Sequence, residues 1–507
     1  MLEVHEPRTC VLGGQTRQRR LFGALSTGAV VVMSVLGLVW VAAIIVVRSW
    51  LVVVLGGLLG VVIVWALTRV TDEGDGWTRT VLDRIRFRLQ IGLQVFGRTL
   101  VGGEPLWVPE AGEVPSVIGP LREIDAPTAL GDFSLLHHAA PNGSWDRGHL
   151  TGMFEVIGEG DGLRETQETN AGGRKFGTVL RTLAAPQIPI DQLDMDTRAM
   201  PTDPSEYREH VASLLSPSCP PRLRSSMEEV TEVGVGFSET YRSFVTVRMP
   251  LDQVRAKTYG EEDLAGVVDT ATEALRTAAE RFMHNGFEVR TVLGPRRVAA
   301  YIRHTYVPSW SPDDLSGLET LADAWAFFGY DHGDRRGRSL RVEALDKGEW
   351  WHAVATIPVD AWPTTEVSVR WLEGLVTDTS SAVIRTVRAQ HRLVSKRSAR
   401  ERAAVGLTID EADLYKEAKR GQASTGETEA QASAARRVLE DLRGGAAGDV
   451  PAVRVLVSAR DRFDLEDARG VIEAAADDMG IHRLHWYDRR HDLAMALMCP
   501  FGKGVKL

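Results

Sequence analysis

The sequence predicts an N-terminal two-helix transmembrane hairpin followed by an α+β cytoplasmic part with ferredoxin-like strand and helix modules. Two observations predict this fold class. The first is a pair of long uncharged apolar runs, Leu21–Val47 and Trp50–Leu67. The second is the alternation of strand-like and helix-like patterns over short connections in the rest of the chain. That alternation is typical of helices covering one face of a small sheet.

The two apolar runs are long enough to cross a membrane. They contain 27 and 18 residues, and only Arg48 and Ser49 separate them. A membrane-spanning helix needs roughly 20 apolar residues, and backbone groups in lipid must be satisfied within the helix. A signal peptide has a shorter apolar region than the first run, and a buried core hairpin of this length would be unusual. We therefore predict two membrane-spanning helices within residues 21–67.

Arginines on both sides of the runs predict the orientation. Arg48 alone lies at the turn, whereas the flanks carry Arg17, Arg19, Arg20, Arg69, Arg79, Arg84, Arg86 and Arg88. Cytoplasmic loops carry the excess of basic residues, so both termini are expected in the cytoplasm. The predicted location is the bacterial inner membrane, with two helices across it and membrane lipid as one partner.

Composition limits the classes of function. The chain has 507 residues, a net charge of −9 and an isoelectric point near 5.9, so no direct nucleic-acid binding is predicted. At roughly 150 residues per domain, two or three domains are expected. The three cysteines, Cys10, Cys219 and Cys499, are far apart and give neither a disulfide framework nor a zinc spacing.

The predicted organisation has five parts. They are a disordered cytoplasmic N-terminus over 1–20, the transmembrane hairpin over 21–67, a basic amphipathic segment and linker over 68–127, a first α+β domain over 128–310, and a second α+β domain over 311–507 with a helical excursion over 397–443. The amphipathic segment fits equally well on lipid headgroups or on the protein surface. The two α+β blocks have a similar order of elements, which suggests a duplication that no sequence repeat proves.

No motif in the chain assigns a chemical reaction. Phe501–Gly504 and Gly172–Lys175 lack the hydroxyl residue and the glycine spacing of a phosphate-binding loop. The pair His137–His138 and the stretch Asp331–Asp334 are candidates for metal binding and for acid–base chemistry, but loop residues in solvent explain both more simply. The sequence therefore predicts no catalytic residue, no cofactor, no metal and no enzyme.

A run of basic residues and several tryptophans could serve a partner. The run Arg385–Arg402 is either a docking patch for an acidic partner or DNA, or a solvated helix start, and the solvated start is favoured. Trp310 and the pair Trp350–Trp351 could anchor a protein interface, although core packing is commoner.

The outline of the chain resembles a known family. The features that carry the resemblance are the paired helices Leu21–Val47 and Trp50–Leu67, the Arg-rich segment Arg79–Arg98, and the terminal elements Val453–Ala459, Leu465–Met479, His482–Tyr487 and Leu493–Cys499 with the turn Pro500–Gly502. This outline resembles actinobacterial membrane proteins encoded in conjugative and secretion-like gene clusters. The part after the hairpin is similar to the N-terminal, non-ATPase half of the type IV secretion ATPases, in which a motor domain follows.

The resemblance implies a non-catalytic inner-membrane scaffold subunit of a conjugative or type IV secretion-like apparatus, which docks a separate motor ATPase. Other membrane subunits are expected partners, and the scaffold is expected to be an oligomer. Two alternatives stay open. One is a component of the type VII secretion membrane complex, and the other is a membrane-anchored enzyme of unknown chemistry.

Overall fold

The fold is described from a computed structural model. The residues it describes are 9–10, 20–21, 25–26, 114–115, 117–128, 131–140, 143–157, 166–201, 213–214, 216, 218–236, 239–258, 264–333, 337–358, 361–363, 367–368, 370–377, 379, 383–419, 427–444 and 448–504.

The described residues form sixteen strands. These are β1 Thr9–Cys10, β2 Arg20–Leu21, β3 Leu25–Ser26, β4 Leu121–Thr128, β5 Gly131–His138, β6 His149–Ile157, β7 Gln192–Pro201, β8 Glu239–Pro250, β9 Glu288–Val292, β10 Phe328–His332, β11 Leu340–Ala344, β12 Gly348–Thr356, β13 Val367–Ser368, β14 Ile384–Val394, β15 Gly448–Ala459 and β16 His485–Trp486.

The α-helices within the described residues lie between and after these strands. They are α1 Thr166–Leu183, α2 Pro221–Gly236, α3 Leu251–Arg255, α4 Leu264–His284, α5 Pro295–Tyr306, α6 Glu373–Val376, α7 Lys396–Lys419, α8 Glu427–Arg443, α9 Arg462–Asp478 and α10 His491–Leu497. Short 3₁₀ helices cover Trp145–Arg147 and Leu321–Trp325.

Twelve strands form one antiparallel sheet. Its order is β10-β11-β12-β15-β14-β7-β8-β6-β5-β4, and β16 pairs with β12 while β9 pairs with β6. Two small pairings lie outside this sheet, β1 with β13 and β2 with β3.

Eight of the twelve strands form two units with the same strand order, which we call the two halves of the sheet, while β5 and β4 continue beyond β6 and β11 and β10 continue beyond β12. In the first half the order is β9-β6-β8-β7, with α1 after β6 and α4 between β8 and β9. In the second half it is β16-β12-β15-β14, with α6 after β12 and α9 between β15 and β16. Both follow the β-α-β-β-α-β chain order of a ferredoxin-like unit. The halves join where β7 pairs antiparallel with β14.

Side chains alternate across the sheet and so build cores on both faces. On one face, each half packs its own helices, with Leu275 of α4 in the first core and Ile472 of α9 in the second. The opposite face carries a core shared by both halves. It contains residues of several strands, of α5 and α10 and of the connecting segments, including Met153, Phe244, Ile302, Trp325, Val354, Leu456, Met495 and Phe501.

The predicted fold class is wrong. The structure has a 12-stranded antiparallel sheet with helices instead of an architecture led by an N-terminal helical hairpin. Arg20–Leu21 and Leu25–Ser26, where the first membrane helix was expected to begin, are two paired strands. The number of apolar residues alone does not distinguish a helix from a strand, because runs rich in leucine and valine occur in both.

The predicted two-helix inner-membrane location is also corrected. Across the described ranges, no helix combines the length and the apolar composition needed to cross a bilayer. The longest, α7, has 24 residues but is rich in charged side chains. The remainder of the expected hairpin, residues 27–67, and the basic amphipathic part of 68–127 up to residue 113 lie outside the described residues.

Strands of the two predicted α+β domains, 128–310 and 311–507, are neighbours in one sheet, through β7 and β14. The boundary near residue 310 therefore stays a prediction. Of the predicted helical excursion over 397–443, residues 397–419 lie on α7 and residues 427–443 lie on α8, and residues 420–426 lie outside the described residues.

Candidate functional site

The seam between the halves carries a buried polar stripe. Leu193 and Met195 of β7 belong to the core of the first half. Because side chains alternate along a strand, the even-numbered residues of β7 face the shared core instead. Val387 of β14 faces the core of the second half in the same way. The buried polar residues that these two strands direct towards the shared core are Gln192, Asp194, Asp196, Arg198, Thr386, Arg388 and Gln390.

An ion pair lies at the centre of the seam. Asp196 and Arg388 are directly opposite in the strand register, and neither side chain is exposed to solvent. The Arg388 Nε and Nη2 atoms donate to the two Asp196 carboxylate oxygens at 2.5 Å each. The Tyr301 hydroxyl of α5 donates to Asp196 Oδ2 at 2.7 Å. A two-pronged guanidinium–carboxylate pair fixes distance and orientation together.

Burial and charge shift the pKa values of this group. Burial by itself would lower the pKa of Arg388, but the adjacent Asp196 carboxylate outweighs it and raises that pKa. Burial, followed by the Asp196 charge, raises the pKa of Tyr301 well above its usual value. Arg388 therefore stays charged and Tyr301 stays protonated, and both remain hydrogen-bond donors.

Arg388 also binds the end of the chain. Its Nη1 atom donates to the carbonyl oxygens of Leu497 and Cys499, at 2.5 and 2.7 Å, and its Nη2 atom donates to that of Met498 at 2.9 Å. These carbonyls lie at the end of α10, where a helix leaves its last carbonyls without intrahelical partners. One buried side chain thus satisfies three consecutive carbonyls.

Four more side chains continue this pattern along the C-terminal segment. They are Thr151 to the carbonyl of Pro500 at 3.0 Å, His149 Nε2 to that of Phe501 at 2.8 Å, Gln390 to that of Lys503 at 3.0 Å and Arg454 to that of Gly504 at 2.8 Å. We call these four residues and Arg388 the carbonyl clamp. Its members come from β6 in the first half and from β14 and β15 in the second half, so the clamp holds the segment 497–504 across the seam.

One clamp residue, His149, stacks on a second buried histidine, His138. The rings of His138 and His149 are 4.6 Å apart and nearly parallel, and the Phe501 ring meets the edge of His138. Burial, assisted by the Arg248 charge, lowers the pKa of His149 to about 3. Burial also lowers the pKa of His138 well below its usual value. Both rings are therefore neutral near pH 7.

The structure places the histidine and lysine candidates in structural contacts. His137 contacts the carbonyl of Trp145 at 3.0 Å while His138 faces His149, so the two neighbours point apart. Within the described part of the chain, no three His, Cys, Asp or Glu side chains are arranged to hold a metal ion. The Lys503 ammonium donates to the carbonyl of Ile118, and burial lowers its pKa to about 8.

The glycine-rich and acidic candidates are also structural. The stretch Phe501–Gly504 belongs to the clamped segment, and Gly172–Lys175 lies inside α1 rather than in a loop. Asp331 lies on the edge strand β10 and accepts from Arg341 at 2.7 and 3.2 Å. Asp334 lies outside the described residues.

The basic run Arg385–Arg402 is not one continuous surface patch. Arg385 is buried and pairs with Glu239 at 2.8 Å, and Arg392 pairs with Asp191 at 2.6 Å. The residues from Lys396 onwards begin α7. The favoured solvated helix start therefore describes only the second part of the run, because the first part lies on β14.

The tryptophans expected in an interface or in the core lie mostly in the core. Trp310 and Trp350 are buried, and the guanidinium groups of Arg303 and Arg460 stack on their rings at 4.8 and 4.0 Å.

Sequence reasoning missed the clamp residues. The available signal was the alternation of polar with apolar residues in Gln192–Pro201 and Ile384–Val394, which is typical of strands. That pattern usually means one solvated face, whereas here the polar face is covered by α5 and by the C-terminal segment. No protein-family model matches the chain, and no curated protein matches it either.

Proposed function

We propose that the chain is a non-catalytic scaffold subunit of a conjugative or type IV secretion-like apparatus, and that it binds a separate motor ATPase. The observation that supports a scaffold is the carbonyl clamp. A catalytic group has to present its proton or charge to a substrate. In the clamp, the strongest buried donors are directed at carbonyl oxygens of the chain's own C-terminal segment.

The continuous hydrogen-bonded pairing of the two halves would allow the chain to transmit force from one half to the other. β14 pairs with β15 over eleven residues on one side and with β7 over eight residues on the other, so the seam lies inside a continuous ladder. The clamp adds the C-terminal segment as a third element across the seam. A subunit that holds a working motor needs such resistance to separation of its parts.

The proposal of a motor ATPase as partner rests on the similarity in outline to the non-ATPase half of the type IV secretion ATPases. In such a layout, the part that precedes the motor also contacts it. We place the contact on the helical arm formed by α7 and α8. Its base packs through Ala399, Ala403 and Val438, and Tyr415, farther along α7, is 70% exposed. Tyrosines are enriched among the residues that dominate binding energy.

The experiment uses the purified full chain and the purified conjugation or secretion ATPase of the source cell, with binding followed by interferometry. We expect saturable binding, and Tyr415→Ala should weaken it by about tenfold, the usual effect of truncating an interface anchor. Leu345→Ala is the matched control, because Leu345 is 79% exposed on the turn between β11 and β12, away from the arm.

ATP hydrolysis by the chain alone is measured in the same preparation. If the pure chain hydrolyses ATP and Lys503→Met abolishes this activity, the chain is an enzyme and the proposal of a non-catalytic scaffold is wrong. Failure of every purified motor ATPase to bind would end the proposed partnership.

A further inference from the structure

One row of the sheet brings three buried polar side chains together. Asp194 of β7 is the register partner of Thr246 on β8 and of Gln390 on β14. All three face the shared core, because side chains alternate along a strand and their neighbours in these strands pack in the helix-covered cores. None of the three is more than 1% exposed. Register partners on one face have their Cβ atoms about 5 Å apart, so these side chains lie close to one another.

Each of the three side chains has an oxygen atom that makes no hydrogen bond within the described part of the chain. The atoms are Asp194 Oδ2, Thr246 Oγ1 and Gln390 Oε1. The carbonyl of Lys503 fixes the orientation of the Gln390 amide, because only the nitrogen end can donate to it, at 3.0 Å. Buried polar atoms are rarely unpaired, so three unpaired oxygens in one row indicate a ligand that they share.

Asp194 is also a buried acidic group without an ion pair. Two residues along the strand, Asp196 pairs with Arg388, but no basic side chain of the described residues lies at ion-pair distance from Asp194. Burial raises the pKa of Asp194, and the charge of Arg388 together with the nearby amides of Gln192 and Gln390 opposes this shift. An ionised carboxylate that leaves water without a partner is costly, so this carboxylate needs a positive charge beside it.

The three oxygens suit a small, singly charged cation. Carboxylate, amide and hydroxyl oxygens are hard ligands, which bind hard cations. One carboxylate balances one positive charge, and the charge of the nearby Arg388 disfavours a second. Magnesium retains several waters, and calcium binds more oxygens than this row offers. Sodium is therefore the cation to test.

We propose that Asp194, Thr246 and Gln390 form a sodium site beside the C-terminal segment. Gln390 connects the site to that segment through the carbonyl of Lys503. A cation held here contacts β8, β7 and β14 at once, two residues along the strand from the Asp196–Arg388 pair. Sodium therefore strengthens the sheet across the seam between the halves.

The first test follows thermal unfolding of the full chain in sodium chloride and in choline chloride at the same ionic strength. A cation that binds only the folded chain stabilises it, so the melting temperature should rise with sodium concentration to a plateau and should be lower in choline. Equal melting temperatures in the two salts would overturn the proposal. So would stabilisation by magnesium or calcium chloride without any by sodium. A sodium-independent rise in melting temperature between pH 7 and pH 5 would mean that Asp194 holds a proton instead, which also overturns the sodium site.

The second test removes the charge with Asp194→Asn. The variant side chain has the same shape and can still accept from Gln192, but it has no charge to balance. The sodium response should disappear, and in choline the variant should melt above the wild type, because the unpaired charge is gone. Asp478→Asn makes the same change at an exposed position at the end of α9 and should keep the sodium response. A sodium response that Asp194→Asn retains would place the cation elsewhere and overturn the proposal.

The third test removes a neutral ligand with Thr246→Val, which replaces the hydroxyl by a methyl group. The sodium concentration that gives half of the maximal stabilisation should rise by about tenfold, as expected for the loss of one polar contact to a charged group. Thr305→Val is the matched control, because Thr305 is also buried and its hydroxyl donates to the carbonyl of Tyr301 on α5. Equal half-saturation in the two variants would remove Thr246 from the site and contradict the proposed ligand set.

Discussion

Asp196 of β7 and Arg388 of β14 are register partners in the strand pair that joins the two halves of the sheet, and their buried side chains form a two-pronged ion pair. The same guanidinium also donates to the carbonyl oxygens of residues 497, 498 and 499. One side chain therefore links the first half, the second half and the C-terminal segment.

Arg388→Met should be strongly destabilising. The substitution keeps a long apolar side chain but leaves the Asp196 carboxylate buried without its countercharge, and breaking one partner of a buried pair costs about 3–5 kcal/mol. The free energy of unfolding from urea titration measures the effect. Arg397→Met is the control, since Arg397 pairs with Glu401 on the exposed start of α7 and such pairs contribute about 0–1 kcal/mol. Equal changes in the two variants would contradict the central role of the ion pair.

Tyr301→Phe should destabilise the protein by a smaller amount. The ring stays in the shared core, but the carboxylate of Asp196 loses the hydroxyl that donates to it at 2.7 Å. Loss of a buried hydrogen bond to a charged group costs about 1.5–3 kcal/mol. Tyr415→Phe removes a hydroxyl from an exposed side chain and should leave the unfolding free energy unchanged. If both variants unfold at the same urea concentration, Asp196 does not depend on Tyr301.

The stability should fall in acid, in part through His149. Its folded pKa of about 3 lies below the usual value of 6.5, mainly because of burial, so the unfolded chain binds the proton first as pH decreases. The stability is therefore fully present above pH 6.5 and is lost as the pH falls from 6.5 towards 3, by roughly 3 kcal/mol at pH 4 from this group.

His149→Gln tests this assignment, because glutamine can still donate to the carbonyl of Phe501 but does not titrate. The slope of unfolding free energy against pH gives the difference in bound protons between the unfolded and the folded chain. Between pH 6 and pH 4 this difference should be smaller by about one proton in the variant. The same replacement at the exposed His482 is the control. A slope that His149→Gln leaves unaltered would assign the acid sensitivity to the other buried histidines.

Local periodicity predicted several elements closely. Val245, Val247 and Met249 alternate within Thr240–Met249 and predict a strand, which is β8, Glu239–Pro250. The helical spacing of the apolar residues within Asp263–His284 predicts a helix, which is α4, Leu264–His284. The same spacing within Leu465–Met479 predicts a helix, which is α9, Arg462–Asp478. Each of these elements has an apolar face that packs in one of the cores, so its pattern carries the information needed to recognise it.

The seam could not be predicted in this way. The Asp196–Arg388 pair joins residues that are 192 positions apart, and nothing local to β7 indicates that its polar face will be covered by α5 and by the C-terminal segment. The apolar length of residues 21–67 likewise predicted a helical hairpin, although Arg20–Leu21 and Leu25–Ser26 are paired strands. In both cases the contacts that determine the structure are not encoded in the spacing of apolar residues along the segment.

Gly502→Ala tests whether the clamped segment needs its backbone conformation. Gly502 has φ +58°, and an added Cβ would lie 2.9 Å from Arg248 Cδ and 3.0 Å from Thr151 Cγ2. Left-handed backbone costs a residue with a Cβ about 1–2 kcal/mol, and the contact with the clamp residue Thr151 adds to this. Gly470→Ala is the matched control, because Gly470 lies inside α9 with open space around the added atom. That change should stabilise the protein by about 0.5–1 kcal/mol. Opposite shifts in melting temperature are therefore expected from the same chemical substitution. Two shifts of the same sign would mean that the segment 497–504 adapts to the added methyl group and that the clamp does not fix its path.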